Sequence, residues 1–292
     1  MDYQGFLTAV QDLNNNSYFY GNQVLYGMAA ESDIKNQDQL AGMMWLIGRS
    51  YAASPQRRSY AKKWTVRSDN DGRDQFFSYV ANALELPNLL AKDDCIRFKT
   101  PNEDIKLLTD SIRMVLQFNL SLSKAIEKFD DAPAGIHCTN HISFCSKFLH
   151  FYYRNAVFII DSYAQAGATH LFGGYNANKL KYICEPVDRN TDYFDETVYK
   201  QFPKKKANDL EKCIEGNLAD VLAQYKDRKQ ENAKAYVKHC VRSYLLGCKL
   251  KEEKVIPSAQ LAGEEFQSMP RLVDTVFLNI KGKGKENLPK EI

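Results

Sequence analysis

Apolar residues recur along this chain at spacings of three and four, the signature of helix faces rather than of strands. Residues 38–53 (DQLAGMMWLIGRSYAA) place Leu40, Met43, Met44, Ile47 and Tyr51 on one side of a helix, with Asp38 as its expected start and Pro55 as its stop. Residues 72–92 carry the same pattern around Phe76, Phe77, Val80 and Leu84 until Pro87 breaks it. A helix over 102–117 opens at Asn102, with Glu103 and Asp104 where carboxylates suit the helix dipole, and its apolar positions are Ile105, Leu108, Ile112, Val115 and Leu116. A second short helix is expected at 119–129, a turn at 130–139 around Pro133 and Gly135, and helices at 140–153 and from Asp161 onward. Residues 173–208 read as polar, aromatic and irregular. Long helices are expected at 209–226 and 229–250, a last helix at 269–280, and a basic tail at 281–292.

Period-2 runs are scarce and no internal repeat appears, so the pattern predicts an all-α globule. A chain of 292 residues suits one unit, or two helical lobes whose junction is expected near 95–135. Hydrophobic residues at 44% against 26% charged supply a core and exclude a disordered chain. A net charge of +3 is too mild for a nucleic-acid coat protein, so any basic surface must come from local clustering. Seven scattered cysteines form no disulfide framework, which points to reduced thiols and a cytoplasmic setting. The first residues lack a basic stretch followed by an apolar one, and the longest apolar runs fall far short of the roughly 20 residues of a membrane span, so no membrane association is expected.

The segment 144–164 (FCSKFLHFYYRNAVFIIDSYA) raises a chemical question, because Lys147 stands inside an apolar run that closes on Asp161. Advancing about 100° per residue puts Ile142, Cys145, Phe148, Leu149 and Tyr152 within an arc of about 120°. Ser143, Lys147, His150 and Arg154 fall within about 60° of one another on the other side. One reading makes that polar arc a solvent face. The other makes it the lining of a cleft, where aromatic surroundings and Arg154 disfavour the ammonium form of Lys147 and yield a neutral, nucleophilic amine. Asp161 likewise reads two ways, as the N-cap of the next helix and as a carboxylate returned towards Lys147.

The string SKFLHFYYRNAVFIIDSYA resembles the catalytic segment of the helix-hairpin-helix DNA glycosylase superfamily, and more narrowly that of bacterial proteins with an 8-oxoguanine-glycosylase-like fold. GRSYAASPQRR (48–58) and the C-terminal AYVKHCVRSYLLGCKL and MPRLVDTVFLNI, with Arg271, Asp274 and Leu278 in register, are similar to the same group. The resemblance implies that the lysine at position 147 attacks the sugar C1′ and displaces a base, giving a Schiff base that can proceed to strand cleavage. It implies that Asp161 stabilises the positive charge developing on the sugar. The partner implied is DNA, as a duplex with a flipped base or as modified DNA. This chain departs from the family at the hairpin. The equivalent stretch, APAGIHCTNHISFC, keeps Gly135 but places His137 or its neighbours where a second glycine belongs. Gly135, His137 and Asn140 from that stretch, with Arg57 and Arg58 from the basic, aromatic run 57–67, are the candidate DNA contacts. The alternative reading is a catalytically silent interaction module on a glycosylase scaffold, acting on nucleic acid or protein, as in defence against foreign DNA.

His137, Cys138, His141 and Cys145 lie close in sequence, but their spacing matches no common zinc pattern, and no metal is expected. The cysteine cluster that holds iron–sulfur in some glycosylases is absent, so no cofactor is expected either. Lys204, Lys205 and Lys206 read as a solvated charge run, and Arg271 and Asp274 as a structural pair one turn apart.

Overall fold

The computed structural model describes residues 2–16, 20–51, 53, 71–90, 101–128, 141–173, 194–226, 228–255 and 269–282. Among the described residues every regular element is an α-helix, as the spacing of apolar positions predicts. In chain order they are α1 (Tyr3–Asn16), α2 (Tyr20–Glu31), α3 (Gln37–Ser50), α4 (Asp71–Ala83), α5 (Pro101–Lys128) and α6 (Ile142–Tyr152). They continue with α7 (Ser162–Phe172), α8 (Glu196–Gln201), α9 (Lys204–Asn217), α10 (Ala219–Leu222), α11 (Arg228–Glu252) and α12 (Met269–Gly282). No helix among them is long and apolar enough to cross a membrane.

The helices group into two compact units. One takes residues 1–18, 160–216 and 237–292; the other takes 19–159 and 217–236. In the first, α12 packs chiefly on α7 and also meets α1, while α1 touches α8. Asp2 starts α1 by accepting from the Gly5 N–H at 2.8 Å, an N-cap that satisfies one of the open donors of the first turn. Edge-to-face contacts join Phe6 and Phe172 through Phe202, at ring separations of 5.9 and 5.4 Å. Arg271 and Asp274 pair at 2.7 Å within α12, with the aspartate buried.

In the second unit, α3 packs on α4, α4 on α5, and α5, α2 and α3 all on α6. Phe118 of α5 stacks on Phe148 of α6 at 5.3 Å. Arg113 ties α5 to the start of α10 through Asp220 at 2.6 Å and the Asn217 carbonyl at 2.5 Å. The Tyr236 hydroxyl donates to the Phe158 carbonyl at 3.1 Å.

Several boundaries differ from the sequence expectation: the helix expected at 209–226 is broken at Leu218 into α9 and α10, and α4 ends at Ala83, ahead of Pro87. The helices expected at 102–117 and 119–129 are one helix, α5, of 28 residues. No proline or glycine interrupts 102–128, and the apolar row continues through Phe118, Leu122 and Ala125, so nothing stops propagation. Within the span read as irregular, residues 194–208 include α8 and the start of α9. Asp195 caps α8 by accepting from the Thr197 N–H at 2.8 Å, and Pro203 immediately precedes α9, where its missing N–H costs little. Finally, α3 is capped by Asn36 rather than started at Asp38; the Asn36 side chain accepts from the N–H groups of both Asp38 and Gln39. Residues 174–193 of that span, the turn at 130–139 and the tail beyond 282 lie outside the described residues.

Candidate functional site

The core of the second unit is organised around α6. A helix with apolar residues on one side buries one side; α6 buries Ile142 and every residue from Phe144 to Phe151. The polar arc is therefore not a solvent face. Lys147 is only 7% exposed and His150 is fully buried, which corrects the simpler sequence expectation. The reason is tertiary. Helices α2 and α3 pack against α6 in addition to α5, so both sides of the helix meet protein. Ser143, in the first turn of α6, and Arg154, just past its last residue, are half-buried.

Lys147 projects its ammonium over the ring of Tyr51, 5.6 Å from the centroid. Tyr51 is the residue that closes α3, its N–H bonded to the Ile47 carbonyl at 3.1 Å. Its ring packs on Phe151 at 5.7 Å, and Phe151 packs on Tyr26 of α2 at 4.9 Å. The Tyr26 hydroxyl meets Nε2 of His150 at 2.5 Å, while Nδ1 of the same ring lies 2.8 Å from the Val157 carbonyl. A carbonyl can only accept, so Nδ1 carries the proton and Nε2 accepts from Tyr26. The Arg154 guanidinium covers the Tyr26 ring at 5.9 Å. Lysine, imidazole and guanidinium thus share one aromatic row built from three helices.

The N-terminal end of α6 is anchored from α5. Asn119 accepts the His141 N–H at 3.0 Å, and the Cys145 thiol lies 3.9 Å from the same oxygen. The amide nitrogen of Asn119 donates to the Tyr225 hydroxyl at 3.2 Å, which in turn donates to the Leu116 carbonyl at 2.7 Å. Burial pushes the Cys145 thiol well above its ordinary value, so this cysteine is an inert core group. Burial also raises the Tyr152 phenol; the hydrogen bond from Ser32 at 3.0 Å opposes the rise.

Asp161 belongs to the first unit and Lys147 to the second. Asp161 accepts the Ala164 N–H at 2.8 Å through Oδ1, and its carbonyl accepts the Gln165 N–H at 3.0 Å. That is the N-cap geometry of α7, so the capping half of the sequence reading holds. The candidate DNA contacts Arg57, Arg58, Gly135, His137 and Asn140 lie outside the described residues, as do His137 and Cys138 of the His/Cys group. Lys204, Lys205 and Lys206 occupy the first turn of α9 and are exposed, as a solvated run should be. Among the described residues no group of three or more His, Cys, Asp or Glu side chains is placed to hold a metal ion.

Sequence reasoning singles out Lys147 and misses Tyr26, and it treats Tyr51 only as core. The signal for both is weak. Periodicity marks which residues are buried, whereas the partner of the Tyr26 hydroxyl lies 124 positions away.

No family model matches the chain, and no curated protein or solved structure matches it.

Proposed function

We propose that this protein is a DNA glycosylase with associated lyase chemistry, using Lys147 as the nucleophile and Asp161 as its electrostatic partner. One observation carries the reading. The amine of Lys147 is withdrawn from water on a buried helix. Lysine rarely occupies such a position without a task, since burying its charge is costly. Desolvated surroundings are also those in which lysines serve as amine nucleophiles.

The neutral amine attacks C1′ of a flipped nucleotide, the new C–N bond forms, and the glycosidic bond breaks. The base leaves with the bonding electrons and takes up a proton. Positive charge builds on the sugar, where a carboxylate such as Asp161 lowers the barrier. The attacking nitrogen loses a proton, its lone pair forms the C=N bond as the C1′–O4′ bond breaks, and O4′ takes up a proton, giving the protonated Schiff base. The resemblance of the 144–164 segment to glycosylases supplies the substrate class, and the all-helical fold is compatible with it.

Borohydride reduces such a Schiff base to a stable amine, so trapping on oligonucleotides with abasic, 8-oxoguanine or uracil sites tests the proposal. Wild type should give a covalent adduct, and Lys147→Gln should give none. Asp161→Asn separates the two roles of that residue. Asparagine caps helices about as well as aspartate, so the fold should be kept while trapping slows by about 10²–10³. A folded wild-type protein that gives no adduct on any of the three sites overturns the enzyme reading in favour of a silent interaction module on the same scaffold.

A further inference from the structure

We infer that Tyr51 is a positioning residue for Lys147. Its ring holds the ammonium in place and retains its charge until a substrate displaces it. The functional meaning of the inference rests on the proposed Lys147 chemistry, but its physical content does not.

The geometry has three parts. First, the ammonium lies 5.6 Å from the Tyr51 ring centroid, within the range in which a cation is drawn to the electron-rich face. Second, Lys147 is 7% exposed, and the attraction is strongest where water does not compete. Third, the ring is not free to follow the lysine. Its backbone is fixed at the end of α3 by the bond to Ile47, and one edge is packed on Phe151. Phe151 is held in turn by Tyr26, whose hydroxyl is engaged by His150. A long, flexible amine is thereby referred to a rigid platform. Burial by itself disfavours the ammonium, and the ring offsets that effect.

Among the described residues, the titratable or charged groups on this row include Tyr26 from α2, His150 on α6 and Arg154 just beyond it. Tyr152 is turned to Ser32, and α5 meets the N-terminal end of α6 through the neutral Asn119. Among the described residues, Tyr51 presents its ring to the amine.

The test needs no DNA. The full chain is treated with a trace of acetic anhydride near neutral pH, and acetylation of Lys147 is read by mass spectrometry relative to exposed Lys124 and Lys128. Only the neutral amine reacts. Tyr51→Phe keeps the ring face and should leave the ratio within about twofold, whereas Tyr51→Leu should raise it about tenfold. Fluorinated phenylalanines at position 51 keep the shape while weakening the ring face, so the ratio should climb with each added fluorine even if leucine disturbs folding. A ratio that stays flat across the fluorinated series overturns the inference. Borohydride trapping of the same variants reads function separately. A flat series beside efficient trapping removes Tyr51 but keeps the glycosylase; a climbing series beside no trapping in wild type does the reverse.

Discussion

His150 shows how much of this unit depends on single polar contacts. It is a fully buried imidazole with a bond at each nitrogen, to Tyr26 and to the Val157 carbonyl. Removing the donor from a buried acceptor costs its desolvation penalty, so Tyr26→Phe should destabilise the protein by about 1–3 kcal/mol in urea unfolding. The two side chains are in direct contact, so Tyr26→Phe combined with His150→Phe should cost less than the sum of the single changes. Additivity in that cycle would show that the bond carries no coupling. At this scale the sequence revealed the residues but not their surroundings. A helical wheel separates Lys147 and His150 from Phe148 and Leu149 correctly. It assigns the polar arc to solvent because it knows nothing of α2 and α3, which come from positions about a hundred residues upstream. Asp161 was legible as an N-cap because capping is local chemistry.

Helices announced by uninterrupted apolar rows were legible, and those fixed by distant packing were not. The rows of α3, α5 and α12 stand out in the sequence, whereas α8 is short and polar and rests on an Asp195 cap and burial of Val198. Helix pairing was not legible at all, although a glycine can betray it. Gly167 of α7 lies so close to the backbone of Phe277 in α12 that an added Cβ would strike the Phe277 carbonyl. Gly247 of α11 is also close to a neighbour, but the neighbour is the side chain of Met269. Both sites gain helix propensity on substitution, worth about 1 kcal/mol. Backbone within a helix yields poorly, while a methionine side chain can swing aside. Gly167→Ala should therefore destabilise by about 1–3 kcal/mol, with Gly247→Ala within about 1 kcal/mol of wild type, in thermal or urea melts. Equal losses at the two positions would mean that the α7–α12 approach is looser than the structure has it.

At the scale of the whole molecule, chain order and compact units diverge. The first unit is assembled from three separate segments, 1–18, 160–216 and 237–292. A periodicity that spans a dozen residues cannot report such an assembly, which depends on which faces find each other across the chain. The consequence is testable by removing the last described helix. Helix α12 buries Met269, Leu272, Val273, Val276 and Phe277, and it packs on α7 and α1. At about 1.5–3 kcal/mol for each large apolar side chain, this burial is comparable with the roughly 5–15 kcal/mol that hold a domain together. A chain ending at residue 268 should therefore lose slow hydrogen exchange at the amides of α7, while α5, which belongs to the other unit, should keep its protection. Loss of protection in both helices would mean that the two units unfold as one. Protection retained in α7 would mean that α1, α8 and α11 suffice to hold it, leaving α12 dispensable to a core it visibly fills.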